Sequence, residues 1–313
     1  MADRPLLSII VTSYTMERFN DVCGLIDSIK AQTYPDIEVV FVVERVPELG
    51  QKAAAYAREK GLTRLTVLFH DGEPGLSASR NAGIDKAQGD IVAFVDDDVV
   101  LFPDWAVEMV KTYDDDSVIG VTGAALPLWQ DKSLSWFPEE LYWILSCTAW
   151  SGWTKQKEIR NAWGMNMSFK KEAIIQAGLF KSNFGLRDSD AGWHDPPSED
   201  VDISLRVKAK TKKRIIYNPD VRVNHRVYPH RVSLKFVARR AYSVGYQRRM
   251  FKKLYPETDR QNEMLQDERG LLKRIIFQLF PSAFGGLFVH PVRSWRRLRV
   301  TVTAVTFVAL GYI

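Results

Sequence analysis

The stretch IVAFVDDD, residues 91–98, is a short apolar run that ends in three consecutive aspartates. An apolar run without clear alternation predicts a strand that is buried on both faces of a sheet. Three neighbouring carboxylates repel one another unless a cation or hydrogen-bond donors offset their charge. The stretch therefore predicts a buried strand with a positive partner at its carboxyl end, although such strand ends also occur as helix caps or solvated turns.

Similar runs lie upstream of this strand. Strands are predicted at residues 6–11, 37–43, 65–69 and 91–95, with helical patterns between them. This alternation predicts an α/β fold with a doubly wound, mostly parallel sheet. Ligands bind such sheets beyond the carboxyl ends of the strands, so we expect the polar segments that follow these strands to converge on one site.

Downstream, the patterns predict helices at residues 105–113, 170–178 and 198–208, a strand at 214–217 and a strand-like run at 221–225. The aromatic-rich segment at 129–153 shows no assignable periodicity. We expect one domain over residues 1–230 and a second region over 231–313.

Composition limits the class of protein. With 313 residues and 46% hydrophobic content, the chain can bury a proper core, which argues against disorder. Its two cysteines, Cys23 and Cys147, lie far apart and outside any metal-binding spacing, as expected of core thiols in a reducing compartment. The first residues lack the regions of a signal peptide, so we expect no export. A net charge of +5 suggests an anionic ligand or surface.

The C-terminal region combines basic and aromatic side chains on helical patterns. The segments LLKRIIFQLF (271–280) and RSWRRLR (293–299) precede an apolar end at 300–313. That end is shorter than the roughly 20 residues that span a bilayer. The pattern is typical of helices that lie in a membrane interface, and the alternative is a helical appendage packed on the main domain with a solvated basic face.

Two further motifs carry candidate chemistry. Ser198, Glu199 and Asp200 open a helix, where they could act only as a cap, or where Asp200 could take a proton from an acceptor hydroxyl, with Asp202 a weaker candidate. In GLSASRNAGI, residues 75–84, small residues allow close approach to a ligand, and Arg80 supplies donors or pairs with a surface acid.

Six ordered motifs resemble the family 2 inverting glycosyltransferases with the GT-A fold. They are SIIVTSY (8–14), VVE (42–44), GLSASRNAGI (75–84), FVDDD (94–98), GMNMSFKKEA (164–173) and PSEDVDISLRV (197–207).

The resemblance implies a role for each matching residue. The residues that it implies for nucleotide-sugar binding are Thr12, Tyr14, Glu44, Arg80, Asp96, Asp97 and Asn166, and Asn166 would line the donor-sugar and acceptor pocket. Asp200 would be the catalytic base, with Glu199 beside it. Asp98 and His225 would bind a divalent cation, Mn²⁺ or Mg²⁺, although His225 could equally be a lone histidine with its hydrogen bonds satisfied at a strand end.

The chain departs from the family pattern in its second strand, which ends in Glu44 where the family usually has aspartate. A glutamate can still accept a hydrogen bond from uracil, but the base preference is left open. The loop at 181–197 is long and rich in Asp and Gly, as expected of a mobile lid.

Within the family, TSYTMERF (12–19), LSASRN (76–81), PEELYW (138–143) and RRAYSVGYQRR (239–249) resemble the archaeal glucosyl-dolichyl-phosphate glucuronosyltransferases. This implies a UDP-sugar donor and a lipid-linked acceptor. It also implies that the protein contacts a membrane surface, at the cytoplasmic face of the cell membrane. We expect no nucleic-acid partner, and the oligomeric state is left open. The rival functions are a nucleotidyltransferase, an idle nucleotide-sugar-binding or membrane scaffold subunit, and a transferase of another cell-envelope polysaccharide.

Overall fold

The computed structural model describes residues 4–148, 151–185, 193, 195–256 and 266–313. The chain divides into two compact units. The first comprises residues 1–125, 154–190 and 198–225, and the second comprises residues 126–153, 191–197 and 226–313. The second unit thus contains the aromatic-rich segment as well as the C-terminal region.

One mixed sheet forms the centre of the fold, in the order β3-β2-β1-β4-β8-β6-β9-β5, with β7 paired to β9. The strands are β1 Leu7–Ser13, β2 Ile37–Glu44, β3 Leu65–His70, β4 Ile91–Asp96, β5 Val99–Leu101, β6 Val118–Trp129, β7 Lys157–Ile159, β8 Asn166–Lys170 and β9 Arg214–Val227. The predicted α/β fold and its four leading strands are confirmed.

Strands β1 to β4 run parallel, and β1 lies between β2 and β4. The register places Thr12 of β1 beside Asp96 of β4, and Glu44 of β2 beside His70 of β3. The carboxyl ends of these strands therefore share one edge of the sheet. Strand β8 pairs antiparallel to β4, and β9 pairs antiparallel to β5.

The described residues of the first unit form the α-helices α1 Phe19–Lys30, α2 Pro47–Glu59, α3 Leu76–Lys86, α4 Trp105–Thr112, α5 Lys171–Gln176 and α6 Glu199–Thr211. The apolar residues that predict α1 all face the core, because Val22, Leu25, Ile26 and Ile29 are 1–3% exposed. They pack with the apolar strand residues in one continuous cluster.

Two local details differ from the sequence prediction. The sequence predicts a strand at 214–217 and a separate strand-like run at 221–225, whereas the structure joins the two in one strand, β9, which ends at Val227. Ser198 is the N-cap residue of α6, yet its side chain makes no capping hydrogen bond.

In the second unit, the aromatic-rich segment forms 3-10 turns at Lys132–Leu134 and Glu139–Leu145, whose period of three differs from that of an α-helix. The helices are α7 Leu234–Leu254, α8 Gln266–Arg274, α9 Phe280–Gly285 and α10 Pro291–Tyr312. A π turn, Ile275–Leu279, joins α8 to α9. Apolar residues of these elements form a second core, including Phe137, Leu141, Val237, Ile275 and Ala304.

One helix among the described residues, Glu268–Phe288, is long and apolar enough to cross a membrane by length and composition alone. Only 17% of the residues in its most apolar 18-residue stretch are buried. Residues 300–313, the apolar end noted in the sequence, form the last turns of α10.

Helices α7 and α10 approach each other closely at two glycines. A Cβ atom at Gly245 would collide with the carbonyl oxygen of Val308, and one at Gly311 would collide with the carbonyl oxygen of Tyr242. Backbone atoms cannot move aside as a flexible side chain can. The absence of a Cβ atom at both positions therefore allows the two helices to pack at this distance.

We predict that Gly245→Ala lowers the free energy of unfolding by about 1–3 kcal/mol, the usual cost of overpacking. The matched control is Gly270→Ala in α8, where a Cβ atom would meet nothing within 4 Å. Because alanine favours helix over glycine, the control should be neutral or stabilising by up to about 1 kcal/mol. Calorimetric unfolding of both variants checks this, and equal effects would contradict the close-packing account.

Candidate functional site

The aspartates that end β4 meet a histidine from a distant part of the chain. Strand β5 follows them directly and pairs with β9 so that Val99 lies opposite His225. As a result His225 Nε2 lies 3.2 Å from Asp98 Oδ1. One potential ligand atom from each of Asp96, Asp98 and His225 lies within 4.8 Å of the others.

This group has the chemistry of a divalent-cation site. Asp98 and His225 are 2% and 1% exposed, whereas the side chain of Asp96 is 37% exposed and open to a ligand. Two carboxylates and an imidazole fit a borderline cation such as Mn²⁺, and the oxygen ligands alone also suit Mg²⁺. The residues present therefore fit the cation that the family resemblance implies.

The end of β1 and the turn that follows it supply a hydrogen-bond donor and a positive charge to the same aspartates. Arg18 Nη1 lies 3.1 Å from Asp98 Oδ2 and 3.0 Å from Asp21 Oδ2. Ser13 Oγ donates to Asp97 Oδ2 at 2.5 Å. Neither Ser13 nor Arg18 was singled out from the sequence, and the only available signal was their place in the loop that follows the first strand.

The surroundings of Asp97 disfavour its charged form. Burial, followed by the neighbouring charge of Asp98, raises the pKa of Asp97 to about 7, and the hydrogen bond from Ser13 opposes this rise. The electrostatic repulsion among the three carboxylates is therefore reduced in two ways. Asp97 ionises less readily, and Arg18 offsets the charge of Asp98.

Arg80 lies in the interior rather than on the surface. It is 2% exposed, and its Nη1 donates to Glu199 Oε1 at 2.6 Å. Its Nη2 donates to the carbonyl of Gly164 at 3.1 Å and lies 3.6 Å from Asp96 Oδ1. Arg80 thus joins the end of β4 to the start of α6, and the alternative of a surface ion pair is excluded.

Glu199 and Asp200 have different surroundings although they are adjacent. Burial raises the pKa of Glu199, and Arg80 opposes the rise. Asp200 is partly exposed, and its Oδ2 accepts from the backbone N–H of Gly164 at 3.0 Å while its Oδ1 accepts from that of Val201 at 2.7 Å. Each carboxylate oxygen has a second acceptor position, so Asp200 is oriented by the backbone and can still take a proton.

Glu44 lines a cavity of about 420 Å³ beside Arg45, Phe69 and His70. Its Oε2 accepts from the backbone N–H of Gly75 at 3.0 Å, and its Oε1 lies 3.0 Å from Arg45 Nε. Because Arg45 is 53% exposed, it can move aside for a ligand. Glu44 therefore faces a space that a planar, hydrogen-bonding ring could fill.

The remaining predicted site residues occupy varied positions. Thr12 is half-buried at the end of β1, and Tyr14 beyond it is 61% exposed. Asn166 is fully buried, and its side-chain amide is satisfied there. It accepts a hydrogen bond from Trp105 Nε1 at 2.8 Å and donates one to the carbonyl of Val221 at 2.9 Å. In this structure Asn166 ties three elements together, and its part in a sugar pocket stays a prediction.

Asp202, the weaker candidate for the base, is fully buried and paired with Arg206, whose Nε donates to it at 2.8 Å. These contacts give Asp202 a structural role. The expected lid at 181–197 includes residues 186–192 and 194, which lie outside the described residues.

Comparison with known proteins names the family. The model for glycosyl transferase family 2 matches residues 8–178, more than half of the chain. The chain is a family 2 glycosyltransferase. The matched region contains the three consecutive aspartates, the loop after β1, Glu44 and Arg80.

Two curated relatives of this family 2 glycosyltransferase align with two thirds or more of its length. A glucosyl-dolichyl phosphate glucuronosyltransferase of Haloferax volcanii is 31% identical over 264 residues, covering 83% of this chain and 82% of the relative. The succinoglycan biosynthesis protein ExoM of Rhizobium meliloti is 27% identical, covering 67% of this chain and 72% of the relative.

A solved structure shares the fold. The mannosyltransferase PcManGT from Pyrobaculum calidifontis, solved with GDP-Man and Mn²⁺, superposes with a TM-score of 0.64 at 18% identity. The match covers 97% of this chain and 87% of that one. The GT-A fold expected from the six motifs is confirmed.

We predict that Arg80→Gln lowers the free energy of unfolding by about 3–5 kcal/mol, because it leaves the buried Glu199 carboxylate without its partner. The matched control is Arg214→Gln, which removes a pair with Asp115 that is 44% and 52% exposed. An exposed pair contributes about 1 kcal/mol or less. Urea unfolding followed by tryptophan fluorescence measures both, and similar small losses would show that Arg80 is not a buried structural charge.

Proposed function

We propose that this glycosyltransferase is a metal-dependent, inverting enzyme that moves a sugar from a UDP-sugar to a polyprenyl-phosphate-linked sugar acceptor. The observation that carries the proposal is the cluster of Asp96, Asp98 and His225, linked through Arg80 and Gly164 to Asp200. A cation-binding cluster beside an oriented carboxylate is what a single-displacement sugar transfer requires.

The donor is proposed to be a UDP-sugar, and glucuronic acid is the sugar that the Haloferax relative's name supports. Thr12, Tyr14, Glu44, Arg80, Asp96, Asp97 and Asn166 are proposed to hold it. Glu44 is suited to the nucleobase because it faces the cavity beside Phe69, where an aromatic ring can cover a base.

The cation is proposed to be Mn²⁺ or Mg²⁺, with Asp98 and His225 as ligands. When bound, such a cation offsets negative charge on the departing nucleotide diphosphate. Arg18 and Arg80 supply fixed positive charge to the same aspartates, at 3.1 Å from Asp98 and 3.6 Å from Asp96.

Asp200 is proposed to be the base that removes the proton from the acceptor hydroxyl, so that the oxygen attacks the anomeric carbon from the side opposite the nucleotide. Its two backbone hydrogen bonds fix the direction of the carboxylate. Glu199 is proposed to act through Arg80, since its own carboxylate is buried against that guanidinium. No covalent enzyme intermediate is needed.

The acceptor is proposed to lie at the cytoplasmic face of a membrane. The relative's dolichyl phosphate acceptor and the basic, apolar C-terminal region support this assignment. In functional terms residues 1–230 are proposed to carry the transfer chemistry, and residues 231–313 to bring the enzyme to the lipid.

The experiment is release of UDP from a panel of UDP-sugars by purified protein, with a short-chain polyprenyl-phosphate sugar as acceptor. We predict acceptor-dependent release from one donor. Asp200→Asn should lower turnover by about 10²- to 10⁴-fold, as for a lost general base, while UDP affinity stays unchanged. The matched control is Asp116→Asn, whose side chain is fully exposed.

Three outcomes would count against parts of this proposal. An equal loss of UDP affinity in Asp200→Asn would make Asp200 a binding residue. UDP binding without turnover on any acceptor would favour the scaffold alternative, and pyrophosphate formation from a nucleoside triphosphate would favour the nucleotidyltransferase.

We further predict that Asp98→Asn weakens Mn²⁺ binding by at least about 10-fold, because the variant loses a charged oxygen ligand. Titration of Mn²⁺ monitored by electron paramagnetic resonance measures this without any substrate. Asp116→Asn should bind Mn²⁺ as the unaltered protein does. Unchanged affinity in the folded Asp98→Asn protein would remove Asp98 from the metal site.

A further inference from the structure

The helical segment Glu268–Phe288 carries apolar side chains with two different surroundings. The inner row, Ile275, Leu279 and Ala283, is 1–5% exposed. Ile275 and Leu279 belong to the core of the second unit, against which Phe280 also packs. The outer row is exposed, and its members are Leu272, Ile276, Phe284 and Phe288.

The outer row faces outward. Leu272 and Ile276 are 47% and 46% exposed, and Phe284 and Phe288 are 56% and 94% exposed. From Leu272 to Phe288 the row extends about 24 Å at the helical rise of 1.5 Å per residue. An extended exposed apolar surface marks a site of interaction with another molecule or with a membrane.

The surface continues into the start of α10. Val289 and Val292 are 70% and 65% exposed, and Trp295 is 57% exposed. Trp is enriched at the boundary between the hydrocarbon and the headgroups of a membrane, because its ring is apolar and its N–H is polar. We call the outer row together with these three residues the apolar ridge.

The charged side chains of residues 269–313 have a single sign. After Glu268 the sequence contains no aspartate or glutamate up to its last residue. The same stretch contains Arg269, Lys273, Arg274, Arg293, Arg296, Arg297 and Arg299. Basic residues beside a surface attract anionic lipid headgroups, whereas a soluble protein partner would require acidic residues arranged to match this face.

We propose that the apolar ridge is the part of this chain that enters a lipid bilayer, lying in the plane of the headgroup–acyl boundary of a membrane with anionic lipids. The inner row indicates that the segment lies in the membrane interface and does not span the bilayer. Two of its members are already packed in the second core, together with Phe137 and Leu141. Crossing the bilayer would expose that packed face. This inference deepens the proposed function, since it says how the enzyme reaches a lipid-linked acceptor.

The test is sedimentation of the purified full chain with vesicles of neutral phosphatidylcholine, with and without 30% phosphatidylglycerol. The variant is Phe284→Ser with Phe288→Ser, which removes two exposed rings and leaves the inner row intact. The matched control is Ile175→Ser in α5, an exposed apolar residue of the first unit at 51% exposure. A second variant, Arg293→Gln with Arg299→Gln, tests the charge arm.

We expect the unaltered chain and the Ile175→Ser control to bind the anionic vesicles. The double serine variant should lose at least about 10-fold in partition coefficient, because two aromatic side chains no longer enter the bilayer. The double glutamine variant should lose about 10-fold or more on anionic vesicles only, at about 1 kcal/mol per basic residue near the surface.

The proposal is overturned if the double serine variant binds vesicles like the unaltered chain. It is also overturned if size-exclusion chromatography shows that the unaltered chain is a dimer and that the double serine variant is a monomer. The apolar ridge would then be covered by a second copy of the chain. UDP binding by the same samples separates this inference from the proposed function, because loss of vesicle binding with intact UDP binding concerns the apolar ridge alone.

Discussion

Electrostatic repulsion among Asp96, Asp97 and Asp98 is the constraint on which the rest of the first unit depends. Three carboxylates at the end of a buried strand are costly unless they are compensated. The structure compensates them from three directions, with Ser13 at the end of β1 and Arg18 in the turn that follows it, Arg80 from α3 and His225 from β9. A divalent cation would complete this compensation. The stability of the first unit therefore depends on this charge balance.

The same balance explains why the two acids of α6 have different surroundings. Glu199 forms the buried pair with Arg80, which also reaches Asp96 and Gly164. Asp200, one residue further, accepts hydrogen bonds from backbone N–H groups and is partly open to solvent. A buried partner and an exposed, oriented carboxylate on adjacent residues give the site one structural acid and one acid that is available for proton transfer.

Sequence reasoning predicted the elements whose signal is local. The apolar runs gave the positions of β1 to β4, and the helical spacing of Val22, Leu25 and Ile29 gave α1. It failed where the signal is non-local or misleading. Asn218, Pro219 and Asp220 resemble a turn, yet β9 continues past them because residues 223–225 pair with β5. Arg18 was missed because its partner lies eighty residues away, and only the register of the sheet brings the two together.

The meeting of His225 with the aspartates is the central claim, because it joins two segments more than a hundred residues apart into one metal site. Pulsed electron paramagnetic resonance of Mn²⁺ bound to the protein tests it directly, since a coordinating imidazole gives a ¹⁴N coupling that carboxylates cannot give. The account predicts this coupling in the unaltered protein and its loss in His225→Gln, which should still bind Mn²⁺ more weakly through the aspartates. Bound Mn²⁺ without any nitrogen coupling in the unaltered protein would contradict it.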